Sequence, residues 1–372
     1  LEEASTQFQA VLTGYTKHPK LARVVYHLGL SLARQKLYTE AAKQFQRISE
    51  EFAESDFVDH ALYEWAWCER GDKRQEEAVK LYQILLKDHS DSSLAPKVQG
   101  ELAELNLDKG AQDKIIADLS ATLETVEETS LREELRYQLA SAHFKKGDYS
   151  SAAAQFITLL EDYPESRFLA SMHFQAGESQ LQLQQVEKAQ AQFTEAVGIK
   201  GSPQSLVESI TMRLAETQAL TGQHSDAATS YQTFLEKFPE SRWTRNARFG
   251  FAFATENGGD PAAALVEYAK ILDEPKTDLW TVRSRFQTGS CQATLEKNNQ
   301  AVIEFVKVEI SYPQYPQWQA QAVLEIGKIL LGQDKPDQAK ERFQEVLSRF
   351  AKEEAAAAAK ELLESATEPE AN

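Results

Sequence analysis

The stretch Tyr137–Ser166, YQLASAHFKKGDYSSAAAQFITLLEDYPES, decides the reading of the whole chain. Tyr137, Leu139, Ala140 and Phe144 share one apolar face at helical spacing and predict a first helix. Gly147 then supplies the left-handed conformation that ends a helix without a Cβ penalty. Ala152, Phe156, Leu159 and Leu160 carry the same period through a second helix. Ala152 is small where two helices must cross closely, and Phe156 is large where a gap must be filled. Pro164 cannot continue that helix, and Ser166 is expected to N-cap the next one. Neither helix can bury its apolar face alone, so each pair needs neighbours, as in a stacked solenoid.

The arrangement recurs along the entire chain. Small anchors fall at Ala4, Ala41, Ala78, Ile115, Ala152, Ala189, Ala227, Ala264, Ala301 and Ala339, in steps of 37 or 38 residues. Four residues after each stands a large apolar side chain: Phe8, Phe45, Tyr82, Leu119, Phe156, Phe193, Tyr231, Tyr268, Phe305 and Phe343. The expected layout is an all-α solenoid of roughly 20 helices with no strands. Residues 1–16 form the second half of a repeat, nine repeats occupy 17–351, an Ala/Glu-rich capping helix spans 352–366, and 367–372 form a disordered tail. The nine repeats begin near Ala22, Asp59, Pro96, Glu133, Ala170, Glu208, Arg245, Val282 and Ala320, and the third is the most degenerate. Gly110, Gly147, Gly222 and Gly259 mark turns inside repeats, where others carry Lys36, Gln184 or Glu296. An array whose core grows linearly with length needs no division into globular domains despite its 372 residues.

A net charge of −17 argues against a nucleic-acid surface and favours, weakly, basic partners. No apolar run reaches the length of a membrane span. Cys68 and Cys291 hold the same place in the second and eighth repeats, too far apart to pair, and read as small buried hydrophobes.

The anchors Leu28–Gly29, Ala41 and Phe45, and Leu139–Ala140, Gly147, Ala152, Phe156 and Pro164, resemble the tetratricopeptide repeat over essentially the whole chain. The resemblance implies a right-handed superhelix whose first helices line the concave surface. The exits Tyr163-Pro164-Glu165-Ser166 and Phe238-Pro239-Glu240-Ser241 are similar to those of bacterial envelope proteins: the lipoprotein of the outer-membrane barrel-assembly machine and the periplasmic Tol-Pal-associated coordinator. That likeness implies the periplasm or cell envelope, with the cytoplasm as the alternative. No cysteine near the start could carry a lipid, and the repeats outnumber those of the lipoprotein.

Catalytic, metal and cofactor sites are not expected. The seven histidines are scattered, neither His-Glu-x-x-His nor Cys-x-x-Cys occurs, and the 57 acidic residues read as solvated faces. Candidate partner-binding residues come from the first helices: Tyr26, Tyr63, Tyr137, Phe174, Phe249 and Phe286 at the fifth position, and Trp67 and Phe253 at the ninth. The alternative for the fifth position is packing between repeats. The resemblance also offers a carboxylate clamp, but Tyr26, Leu30, Glu64, Lys97 and Glu101 occupy its positions and only Lys97 suits it. Arg23, His27 and Arg34 share a face that could hold an acidic segment or simply face solvent. The expected function is a non-catalytic scaffold that binds a protein or peptide. Self-assembly end to end and a cytoplasmic adaptor are the alternatives, and a helical enzyme is disfavoured.

Overall fold

A computed structural model describes residues 2–15, 18, 20–106 and 112–365, which form twenty helices and no strand. The turn expected at Gly110 and the tail expected at 367–372 lie outside the described residues. Packing divides the chain into two compact bodies, Leu1–Gln184 and Gln185–Asn372.

In the N-terminal body the helices are α1 (Glu2–Gly14), α2 (Leu21–Arg34), α3 (Tyr38–Glu51), α4 (Val58–Gly71), α5 (Gln75–Asp88), α6 (Ala95–Asn106), α7 (Gln112–Leu123), α8 (Thr129–Lys146), α9 (Tyr149–Asp162) and α10 (Leu169–Gln182). In the C-terminal body they are α11 (Val186–Val197), α12 (Gln204–Leu220), α13 (His224–Lys237), α14 (Thr244–Asn257), α15 (Pro261–Leu272), α16 (Leu279–Thr294), α17 (Asn298–Ser311), α18 (Pro316–Gly332), α19 (Pro336–Arg349) and α20 (Ala355–Ser365). Even-numbered helices from α2 to α18 are the first helices of repeats, and odd-numbered ones from α3 to α19 the second. Packing within each body runs between helices adjacent or next-but-one in sequence. First helices touch the first helix of the next repeat, as α2 on α4, α8 on α10 and α14 on α16. The final helix α20 rests on α18 and α19 through buried Ala355, Ala356 and Ala359.

Burial follows the period. From Ala41 onward the small anchors are buried, as are the large residues from Phe45 onward, whereas Ala4 and Phe8 in α1 are only half-buried. Counting from each repeat start, the eighth residue faces the anchor of the second helix and is always Gly or Ala. A Cβ built on Gly29 would lie 2.6 Å from the ring of Phe45, on Gly289 2.7 Å from Phe305, and on Gly327 2.5 Å from Phe343. The large side chain therefore fits because its neighbour has given up volume.

Among the described residues the turn between paired helices has one backbone geometry. Lys36, Lys73, Gly147, Gln184, Gly222, Gly259, Glu296 and Asp334 all have φ between 59° and 95°. At the five non-glycine positions this conformation costs about 1–2 kcal/mol each, which the packed helix pair must offset.

Ser166 does not N-cap α10: that position belongs to Phe168, which has no side-chain cap. The Ser166 hydroxyl instead accepts from the Phe168 N–H at 2.9 Å and donates to Glu133 at the start of the same repeat's first helix. Ser92 with Asp59 and Ser241 with Glu208 repeat the bond. The exit serine thus ties the start of one repeat to the start of the next. In the seventh repeat the polarity reverses. Arg245 replaces the carboxylate and binds Asp278 at 3.0 Å, while Asp278 closes a capping box with Thr281.

Two substitutions test this packing. Gly289→Leu is expected to cost about 3 kcal/mol in urea unfolding, because the Phe305 ring has nowhere to move. Gly289→Ala should cost far less, since Ala140 already packs with Phe156 at the same place in the fourth repeat. Glu296→Gly, which relieves a left-handed residue, should stabilise the chain by about 1 kcal/mol.

Candidate functional site

In four repeats the aromatic at the fifth position of the first helix builds the contact to the next repeat. Its aromatic ring meets the anchor of its own second helix: Tyr26 with Phe45 at 5.8 Å, Tyr137 with Phe156 at 5.9 Å, Phe249 with Tyr268 at 5.7 Å, Phe286 with Phe305 at 5.2 Å. The other side of the same ring meets an aromatic two residues before the next repeat: Tyr26 with Phe57, Tyr137 with Phe168, Phe249 with Trp280, Phe286 with Trp318, at 4.8–5.4 Å. These rings are buried or half-buried: Tyr26, Tyr63, Phe249 and Phe286 are in the core, and Tyr137 and Phe174 are half-buried. A partner laid on this face would meet their edges.

In three repeats the second position of the following repeat sets a basic side chain against the ring. His60 stands edge-on to Tyr26 at 6.4 Å, Lys97 Nζ lies 4.7 Å from the Tyr63 ring, and the Arg283 guanidinium lies 4.2 Å from Phe249. Cations over ring faces gain from the ring quadrupole and keep their polar edge turned outward.

The ninth position is more open. Trp67 is 42% exposed, with its ring held edge-on by Tyr38 at 5.7 Å. It borders a cleft of about 260 Å³ lined by Leu30, Ala33, Arg34, Tyr63, Glu64 and Lys97. Phe253 is half-buried and stacked on Phe249 at 5.9 Å. Farther along the N-terminal body a cleft of about 610 Å³ includes Tyr137, Phe144, Phe168, Arg167 and Gln175.

Most charges around these clefts already have partners. The Tyr63 hydroxyl donates to Glu101 at 3.1 Å, Arg70 bridges Glu101 and Glu104, and Arg167 binds Glu134 at 2.9 Å. A larger cavity of about 770 Å³ sits by the 162–168 exit, where Arg136 holds Asp162 at 2.6 Å and Ser166 holds Glu133. Glu64 differs. Burial pushes its carboxyl above the ordinary range, and Lys97, His60 and Arg34 oppose that only in part. Burial likewise pushes the Tyr26 phenol up to about 12 and the Cys68 thiol up to about 12. Cys68 and Cys291 are buried free thiols. No group of three metal-ligating side chains is found among the described residues, and none of their helices is long and apolar enough to cross a membrane.

Sequence reasoning named Tyr63 and Trp67 from one cleft, Tyr137 from another, and the Phe249–Phe253 stack. It missed the entry aromatics Phe57, Phe168, Trp243, Trp280 and Trp318, although these recur at the repeat period. It also missed Arg283, whose partners only the packing defines.

Tetratricopeptide-repeat models match residues 1–56, 60–92 and 321–353, and a model described as an outer membrane lipoprotein matches residues 101–258, less than half of the chain. No curated protein matches by sequence. Among solved structures, the C-terminal part of a TPR repeat-containing protein from Cytophaga hutchinsonii is 14% identical, with a TM-score of 0.53 over 70% of this chain and 98% of that one. PilW, described as a widely conserved type IV pilus biogenesis factor, is 12% identical, with a TM-score of 0.50 over 60% of this chain and 97% of that one. A tetratricopeptide repeat protein from Parabacteroides merdae is 14% identical, with a TM-score of 0.45 over 83% of this chain and 99% of that one. At these identities the likeness concerns the fold.

The Glu64 environment gives a pH test. A carboxyl raised in the folded state binds its proton more tightly there than in the unfolded chain, so it withdraws stability as pH climbs past the ordinary carboxylate pKa. Glu64→Gln should therefore melt higher than the parent at pH 7. The difference should fade as pH drops through about 4 and vanish by about pH 3, where both side chains are neutral in both states.

Proposed function

We propose that this chain, a protein built of tetratricopeptide repeats, is a non-catalytic scaffold that holds an extended segment of a partner protein along its first-helix face, within a bacterial envelope complex. One observation carries the reading: Trp67 stands exposed, oriented by Tyr38, beside a notch walled by Leu30, Ala33 and Tyr63. A rigid aromatic next to an apolar notch offers large contact area for little lost entropy, the character of an interface anchor. Arg34, Glu64 and Lys97 around the notch would fix the register of the bound segment more than its affinity.

The match of residues 101–258 to an outer-membrane-lipoprotein family supports the envelope. The engagement of Glu101, Glu134 and Asp162 by basic neighbours supports a non-catalytic role, since acid–base chemistry needs a carboxyl free to exchange its proton.

Photo-crosslinking from position 67, with position 303 on a second helix as the control, tests the reading in cells. The expected outcome is one defined partner captured from position 67 and not from 303. Trp67→Ala should then weaken that partner's binding about thirtyfold, the scale of a hot-spot residue. Equal capture from both positions, or unchanged binding by Trp67→Ala, contradicts it.

A further inference from the structure

We propose that the cleft between α5, α6 and α7, where the second repeat meets the third, binds a single-chain amphiphile with an anionic head. The site shares no residue with the Trp67 notch, and the inference stands independently of the scaffold reading.

The third repeat departs from the others where its two helices cross. Nine of the ten units place an aromatic ring four residues after the anchor, and the third places Leu119 there. Its eighth position is Ala103, the size of residue that elsewhere leaves room for a ring, as Ala140 does for Phe156. Both sides of the crossing are therefore smaller than a ring-bearing repeat needs, and Ile115 in place of the usual Ala takes back only part of the volume. A cleft of about 460 Å³ opens here, walled by Ala103, Ile115 and Leu119 together with Leu86 and Leu102. Four of these five side chains are buried and Leu86 is half-buried, so the floor is aliphatic.

The rim is basic. Lys87 in the last turn of α5 and Lys114 near the start of α7 are both exposed, and neither has an ion-pair partner among the described residues. By contrast, Lys80 holds Glu77, and Asp113, beside Lys114 in the chain, is taken by Lys146. Asp118 is the one carboxylate of the lining, so two lysines face one acid on a chain of net charge −17. An aliphatic floor and two unmatched ammonium groups above it suit opposite ends of one molecule: a hydrocarbon chain driven from water and a negative head. The volume lies within the roughly 300–1,000 Å³ of small-ligand sites, which favours a flexible chain over a folded segment of a partner protein.

The test follows the Ile115 δ1 methyl signal of the full chain by carbon-13 NMR, assigned through its disappearance in Ile115→Val. The probes, all kept below micelle formation, are laurate, decanoate, lauroyl lysophosphatidylglycerol, neutral dodecyl maltoside, acetate, and an acidic amphipathic helical peptide. Laurate and the lysolipid should shift the signal saturably, and whichever binds more tightly identifies the source of the anionic head. Decanoate, with two fewer methylenes to bury, should bind about tenfold more weakly than laurate. The maltoside should also bind about tenfold more weakly, and acetate should not saturate. Replacing both lysines, Lys87→Gln with Lys114→Gln, should weaken laurate about tenfold. Leu119→Phe, which restores the ring of the other repeats, should abolish the response. Absence of saturation by laurate and the lysolipid overturns the site, and equal binding of maltoside and laurate overturns the anionic head. Saturation by the peptide without laurate overturns the ligand class, and undiminished laurate binding by folded Leu119→Phe overturns the place. The main readout is made on the unsubstituted protein and the two lysines are exposed, so the test stands even if Leu119→Phe folds poorly.

Discussion

One contact recurs in the first, fourth, seventh and eighth repeats: the ring at the fifth position of a first helix lies between its own repeat's anchor and an aromatic that opens the next repeat. Tyr137 shows it fully, between Phe156 and Phe168. Where the ring is absent from the sixth and ninth repeats, an aliphatic side chain takes its place, as Met212 and Leu324 do in buried cores. In those four repeats the contact couples a repeat to its successor, so stability within each body is expected to build as a sum of repeats and nearest-neighbour terms. The exit serine adds direction, because its hydroxyl must reach a carboxylate at the start of the preceding first helix.

The same contact limits what can serve as a binding surface. A ring wedged between two others cannot also be the deep anchor of a partner, so Tyr26, Phe249 and Phe286 contribute mainly to cohesion. Trp67 at the ninth position stands exposed, and cations lie over two of the relay rings. Lys97 and Arg283 occupy corresponding places in different bodies, yet their surroundings differ. Lys97 has the Glu64 carboxylate in its electrostatic neighbourhood, whereas Arg283 lies over Phe249 and Trp280 with its Nε buried and unpartnered. The repeat supplies a common geometry, and local substitutions give each station its own chemistry.

The helices, their pairing and the anchors were legible in the sequence because a period of 37 or 38 residues sets an anchor, Ala in all but Ile115, in register with a large side chain ten times. The left-handed turn was legible through Gly147 and its equivalents, and the structure extends it to Lys73 and Asp334. Ser166 was misread because a serine after a proline suggests a cap when one repeat is read alone. Its partner Glu133 lies 33 residues upstream and becomes visible only when consecutive repeats touch. Arg283 was illegible for a related reason: an arginine's lack of an acceptor is a property of everything packed around it, not of its own sequence position.

The relay is tested most directly by a double-mutant cycle on Tyr137 and Phe168, whose rings stack at 4.8 Å. Urea unfolding of Tyr137→Leu, Phe168→Leu and the double variant gives their coupling energy. If the ring pair joins the fourth repeat to the fifth, the coupling should be about 1 kcal/mol, with the double variant less destabilised than the sum of the two single changes. Strict additivity, with both single variants folded, would mean that the repeats are held together by something other than this contact.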